Sequence, residues 1–106
     1  MEKIIAVTFD IADQKCKMYN PLEWHNFIAD TREQAEDPSA SLEDLFDEVY
    51  GDEFWFEVIP NPFAVYAIAF DLRSEEFVHC KSDAECEMYW EMAQASGCED
   101  EVFWAD

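Results

Sequence analysis

The residues best able to do chemistry in this sequence are carboxylates repeated at helical spacing. Glu43, Asp44, Asp47 and Glu48 would share one face of a helix, spread over an arc of about 140° at ~100° per residue. Carboxylates this close repel one another by roughly a few tenths of a kcal/mol per pair. They also present an array of oxygen acceptors that arginine and lysine side chains bind through charge-assisted hydrogen bonds. The pattern predicts binding of a basic partner.

A second acidic stripe follows later in the chain. Asp83, Glu87 and Glu91 are four residues apart, so they would line one side of a helix. Trp90 falls at the flank of this stripe, where it is either a core residue or an anchor of a protein interface. Further acidic candidates for partner contact lie outside the two stripes: Glu33, Glu36, Asp37, Asp52 and Glu53.

The composition indicates a folded domain with a negative surface. The 106 residues include 26 Asp and Glu against 6 Lys and Arg, which gives a formal charge of −20. Half of the residues are hydrophobic and 16% are aromatic, unlike a disordered acidic segment. A compact chain of this length would be about 33 Å across. Because duplex DNA carries one charge per ~1.7 Å, about 33 Å of duplex carries a similar charge of roughly 20.

The sequence does not favour an enzyme. His25 and His79 lie in no recognisable catalytic motif, and with only Gly51 and Gly97 there is no glycine-rich phosphate loop. The four cysteines lack the paired short spacing of a zinc site, and no calcium-loop pattern occurs. We therefore expect no catalytic residues, no metal and no cofactor.

Three helices are predicted from their start signals. Asn20 with Pro21 begins a helix to about Arg32 or Ala35, with Leu22, Trp24, Phe27 and Ile28 buried to differing degrees. Ser41 begins a second helix that ends at Gly51 and buries the stripe Leu42, Leu45, Phe46, Val49 and Tyr50. Ser82 and Glu85 match a capping box that begins a third helix, to about Ser96.

Strands are predicted where apolar residues alternate or cluster. Residues 5–11 are expected to form a half-buried strand, followed by a turn and a polar segment up to Tyr19. Further predicted strands are 54–59, a central strand at 63–70 after a break at 60–62, a short strand at 77–80 and an edge strand at 102–104. The strands between 54 and 80 suggest an antiparallel meander. The fold class is α+β: one domain, 1–106, with an antiparallel or mixed sheet of four to five strands packed with three helices.

The chain shows neither a signal peptide at its N-terminus nor an apolar run of the ~20 residues that span a bilayer. A cytoplasmic protein with reduced cysteines is expected, with no membrane and no nucleic acid as direct partner. The oligomeric state is open between monomer and homodimer.

Size, charge and acidic helices such as Glu43-Asp44-Leu45-Phe46-Asp47-Glu48 together resemble the DNA-mimic proteins of phages and mobile elements. That class includes anti-restriction proteins, uracil-DNA glycosylase inhibitors and anti-CRISPR proteins. Its members have unrelated folds, so the resemblance implies a mode of action and no particular structure. It implies an inhibitor that occupies the nucleic-acid-binding site of a basic defence or DNA-processing protein, such as a CRISPR-Cas complex or a restriction enzyme.

Two other interpretations fit the same composition. The first is an acidic interaction module that binds one basic protein without competing against DNA. The second is a halophilic domain of unrelated function, because halophilic proteins are also acidic and poor in lysine. The halophilic interpretation predicts that folding needs molar salt, whereas a mimic folds at ~0.15 M salt.

Overall fold

The computed structural model describes residues 3–59 and 66–105. These residues form three helices and two three-stranded antiparallel sheets, so the α+β class is confirmed, whereas the single sheet of four to five strands is wrong. The elements are β1 (Ala6–Asp10), β2 (Lys15–Tyr19), α1 (Pro21–Gln34), α2 (Leu42–Tyr50), β3 (Phe54–Val58), β4 (Ala67–Asp71), β5 (Glu76–Cys80), α3 (Asp83–Ala95), a short 3₁₀ turn (Glu99–Glu101) and β6 (Val102–Trp104).

The helices begin where the capping residues predict. Asn20 Oδ1 accepts a hydrogen bond from the Glu23 amide at 2.8 Å, and Glu23 Oε1 accepts one from the Asn20 amide at 3.2 Å. The Ser41 and Ser82 hydroxyls each accept from the amide three residues later, at 3.3 Å. In the third cap the Glu85 carboxylate binds the Lys81 amide, one residue before the predicted partner.

One buried position in α1 was predicted wrongly. Leu22 is 68% exposed, because it lies in the first turn on the side away from the sheet that Trp24 contacts. Gly51 ends α2 with φ of 85°, a conformation that glycine adopts without the steric cost of a side chain. The predicted helix ends at Gly51 and near Ser96 are confirmed.

The first sheet has the order β2-β1-β3. Its centre, β1, is buried on both faces, since Ala6, Val7 and Phe9 are 0% exposed and Thr8 is 4% exposed, so the half-buried strand was a wrong prediction. The polar segment before Tyr19 is a strand, β2, which pairs with β1 from Asp10↔Lys15 to Ala6↔Tyr19.

The second sheet has the order β5-β4-β6. The central place of β4, the hairpin from β4 to β5 and the edge position of β6 are confirmed. The meander through β3 is wrong, because β3 and β4 belong to different sheets. The predicted break at 60–62 and the start of the strand at 63 lie outside the described residues.

The two sheets stack face to face through aromatic side chains. Phe9 of β1 stacks on Phe70 of β4, with ring centroids 4.3 Å apart and planes at 14°, and Phe103 of β6 lies 4.9 Å from Phe9. Val7 and Ile68 belong to the same layer and, like Phe9 and Phe70, are fully buried, whereas Phe103 is partly buried. At its rim, the His79 imidazole Nε2 lies 3.0 Å from Glu57 Oε2 and joins the sheets.

The helices cover the outer faces of this stack. Trp24 of α1 and Phe46 of α2 pack on the β1 face that carries Ala6. Ala93 of α3 packs on the opposite sheet, against Ala69 of β4. Because strand residues alternate between faces, the order of layers is α1 and α2, first sheet, second sheet, α3. The acidic stripes of α2 and α3 therefore lie on opposite outer layers.

The shape is more extended than the compact domain, about 33 Å across, that the chain length predicts. The radius of gyration is 14.6 Å and the extents are 45 × 30 × 18 Å. About 45 Å of duplex carries roughly 26 charges, so the charge per length of the long axis is somewhat below that of duplex DNA. In the described part of the chain, no helix is long and apolar enough to cross a membrane.

Candidate functional site: two acidic surfaces

An acidic cleft lies between α2 and the edge strand β3. It has a volume of about 420 Å³ and is open to solvent. Four predicted contact residues line it: Glu43, Asp44, Asp47 and Asp52. The turn at Gly51 reverses the chain directly from α2 into β3, so the flank of the helix faces that strand. We call these four residues and the cleft they line the acidic cleft.

The floor of the acidic cleft is aromatic. Phe46, Phe54, Trp55 and Phe56 line it beneath the carboxylates. Phe46 is only 2% exposed and contacts Phe56 edge-on, with centroids 4.8 Å apart. Packed rings hold the helix at a fixed position on the strand, so the carboxylates above them are carried by rigid elements. A preorganised acceptor array loses less entropy on binding than a flexible acidic tail.

Two carboxyl groups of the acidic cleft interact directly. A hydrogen bond to the side chain of Asp52 raises the pKa of Asp47 above its ordinary value, and the negative charges of Asp52 and Asp44 raise it further. The raised pKa means that ionising both groups is unfavourable in the folded protein. A cation placed between the two carboxylates would relieve that repulsion.

This interaction predicts a pH dependence of stability. Because the folded-state pKa of Asp47 is raised, its stabilising contribution is greatest below the ordinary value of 3.8 and is lost as the pH rises through the raised value. The change in the free energy of unfolding caused by Asp47→Asn should therefore be more favourable at pH 7 than at pH 3. Urea unfolding of both proteins from pH 3 to pH 7 measures this difference. Parallel curves for the two proteins would contradict it, and Asp30→Asn serves as a control outside the cleft.

The other candidates of this region lie around the acidic cleft without lining it. Glu48 faces the loop between α1 and α2, where its Oε2 accepts the Glu36 amide at 3.0 Å. Asp37 Oδ1 accepts both the amide and the hydroxyl of Ser39, so it shapes that loop. Glu33 on α1 and Glu53 after α2 are exposed. These carboxylates enlarge the negative surface, and two of them also order the loop.

Few cations neutralise these surfaces. Within residues 3–59 and 66–105, ion pairs join Arg73 to Asp71 and Glu101, and His79 to Glu57, and none involves a carboxylate of α2 or α3. Arg32 is directed to backbone carbonyl groups, those of Pro38 and Ala40. All twelve acidic candidates are exposed.

One carboxylate has a contrasting, structural role. Asp71 is 8% exposed at the end of β4 and accepts the Tyr89 hydroxyl at 3.0 Å. Burial first, and then this hydrogen bond, raise the pKa of Tyr89 to about 12, so the hydroxyl remains a donor. The bond fixes α3 on the second sheet.

A groove on α3 is the second surface. Asp83, Glu87 and Trp90 line it together with Tyr66, Cys86 and Trp104, and its volume is about 320 Å³. We call these six residues and the space between them the tryptophan groove. Trp90 and Trp104 meet edge-on, with centroids 6.4 Å apart. Glu91, the third member of the stripe, is exposed but does not line the groove.

Sequence reasoning singled out Trp90 but missed the other aromatic side chains of both surfaces. Most tryptophans were expected in the core or partly in it; Trp55 and Trp104 are half-buried against the core, and they also line the acidic cleft and the tryptophan groove. The short connection from Gly51 to Phe54 was the available signal for the cleft, because it places the helix flank beside the strand. No comparable signal joins Tyr66 to α3, since that contact depends on the sheet topology.

Comparison with protein-family models, with curated proteins and with solved structures gave no match. The function of this chain is therefore inferred from the geometry of the two acidic surfaces. Among the described residues, no group of three or more His, Cys, Asp or Glu is arranged to hold a metal ion. The arrangement is chemically suited to binding cationic side chains, by carboxylates on rigid helices beside aromatic rings.

Proposed function

We propose that this protein is an inhibitor that occupies the nucleic-acid-binding surface of a basic protein, with Asp and Glu side chains in the positions of phosphates. The observation that carries the proposal is the acidic cleft: four exposed carboxylates on a rigid helix–strand framework, with no ion pair to a cation of the described chain. The partner is a nucleic-acid-binding protein or complex, such as a CRISPR-Cas complex or a restriction enzyme. The proposed setting is the cytoplasm of the cell that contains that partner.

Surface carboxylates usually reflect solubility, but two observations favour a binding role. A chain selected for solubility needs a smaller net charge with both signs interspersed, whereas this one carries −20. The protein also accepts repulsion between Asp47 and Asp52 that one lysine in α2 would relieve. A repulsive cluster that costs stability is expected where a partner supplies the missing cations.

The layered fold limits how the proposed partner could be contacted. Because α2 and α3 lie on opposite outer layers, a flat basic surface reaches only one acidic stripe at a time. We assign the main contact to the acidic cleft, since it brings together four of the predicted carboxylates. Association should be fast and salt-sensitive, because it is steered by opposite charges.

Capture followed by duplex elution tests the proposal. The immobilised protein is incubated at ~0.15 M salt with a lysate of a cell in which it acts, and a 30-base-pair DNA duplex is then added at constant ionic strength. We expect one nucleic-acid-binding protein or complex to be released by the duplex. A single basic partner that the duplex leaves bound would instead establish an interaction module. Release of many unrelated basic proteins would show that the charge has no specific partner.

A further inference from the structure

We propose that the tryptophan groove is a docking site for one arginine side chain of the basic partner. The inference rests on the proposed function, to which it adds a second contact and the chemistry that this contact recognises. Because the groove lies on the outer layer opposite the acidic cleft, a partner that engages both must extend around the domain. It depends on an apolar groove with two carboxylates at its edge, and not on the acidic stripe alone.

The lining of the groove combines two features that suit a guanidinium group. Tyr66, which is 57% exposed, and the rings of Trp90 and Trp104 provide an apolar surface. Indole and phenol faces attract cations, and the planar guanidinium group stacks on them more readily than an ammonium group. Most of the groove surface is apolar, so a hydrated lysine ammonium group would lose water there without recovering equivalent contacts.

Two carboxylates line the same groove and can pair with the charged end of such a side chain. Asp83 and Glu87 are four residues apart on α3, so they are neighbours on the same side of the helix. Neither takes part in an ion pair of the described residues. A guanidinium group can donate to a carboxylate through two parallel hydrogen bonds while its plane rests on an aromatic ring.

The size and support of the groove limit the occupant to something small. Its volume of about 320 Å³ is near the lower end of the ~300–1,000 Å³ typical of ligand sites, which suits one side chain. Trp104 is fixed by β6 and by the Tyr89 ring, whose centroid lies 6.1 Å away. Tyr89 in turn is held by Asp71. Trp, Tyr and Arg are also the residue types that dominate binding energy at protein interfaces.

Indole N–H signals of the ¹⁵N-labelled full chain test the proposal, since Trp24, Trp55, Trp90 and Trp104 report on different places. The probes are the peptide acetyl-Gly-Arg-Arg-Gly-amide, its lysine analogue and its citrulline analogue, which is neutral but similar in shape. We expect the arginine peptide to shift the Trp90 and Trp104 signals with at least about tenfold higher affinity than the citrulline peptide. The lysine peptide should also bind this groove more weakly than the arginine peptide. Trp24, which lies on α1 and is buried against the first sheet, is the internal control.

The double variant Asp83→Asn/Glu87→Gln separates the groove from the acidic cleft, which Trp55 lines. It should abolish the Trp90 and Trp104 shifts and leave unchanged any shift of the Trp55 signal, which reports binding at the acidic cleft. Equal binding of the citrulline or lysine peptide would overturn the proposal, and so would shifts that the double variant retains. Shifts that appear on raising the protein concentration alone would identify a second copy as occupant and overturn it as well. None of these results affects whether a duplex competes with the protein, so the proposed function is tested separately.

Discussion

Replacement of Phe9 by alanine is expected to lower the free energy of unfolding by about 3–5 kcal/mol. Phe9 is 0% exposed and contacts Phe70, Phe103 and Trp55, so its removal leaves a cavity between the two sheets. The loss is a large part of the ~5–15 kcal/mol that stabilises an ordinary domain. Urea unfolding at pH 7 measures it. Leu22→Ala, at a position 68% exposed, is the control and should change stability by no more than about 0.5 kcal/mol.

A double-mutant cycle makes this result specific to the stacked sheets. Phe9 and Phe70 belong to different sheets and stack at 4.3 Å, so the two alanine substitutions should be non-additive by about 0.5–3 kcal/mol. If the alanine variants do not fold, the same double-mutant cycle can be measured with Phe9→Leu and Phe70→Leu. Additive effects, within about 0.3 kcal/mol, would contradict the stacking of the two sheets.

Reversal of the charges on α2 is expected to weaken binding of the captured target by at least about 100-fold. The variant changes Glu43, Asp44, Asp47 and Glu48 to lysine. Loss of only two charge-assisted hydrogen bonds, at about 1.5 kcal/mol each, already accounts for roughly this factor. Fluorescence anisotropy of the labelled protein against the purified target, at ~0.15 M salt, measures the affinity.

A charge-matched variant separates the surface from the total charge. Asp13, Asp30, Glu76 and Asp100 are exposed and lie outside the candidate set, and their change to lysine gives the same net charge. We expect this variant to lose less than about tenfold in affinity, mainly through slower association, because long-range steering is screened beyond about 8 Å. Equal losses for the two variants would show that the acidic cleft has no special role. Circular dichroism of both variants verifies that they fold.

The helices were predictable because their signals are local. Asn20 with Glu23, Ser41 and Ser82 each satisfy amide groups within three residues of themselves, so the sequence order alone specifies the cap. The apolar stripe of α2 similarly identified the buried residues Leu45 and Phe46. Because the buried side of α2 was identified, its exposed side was identified as well, with the carboxylates that form the candidate site.

The sheets were harder to predict because pairing is not local. The strand β2 was not predicted because Lys15 and Lys17 make the segment look polar, although Cys16 and Tyr19 are buried in it. Nothing in the spacing between Val58 and Ala67 distinguishes a hairpin within one sheet from a crossing into a second sheet. The error had consequences for the site, since the predicted single sheet did not specify which face each helix covers, whereas the two stacked sheets place α2 and α3 on opposite outer layers.

The most direct test of the central claim is whether the captured target can bind this protein and duplex DNA at the same time. Analytical ultracentrifugation of the purified target with saturating protein and a labelled 30-base-pair duplex distinguishes the two cases. We predict mutually exclusive complexes: the labelled duplex sediments free when the protein is in excess, and it binds the target again when the charge-reversed α2 variant replaces the protein. A stable complex that contains target, protein and duplex together would contradict it.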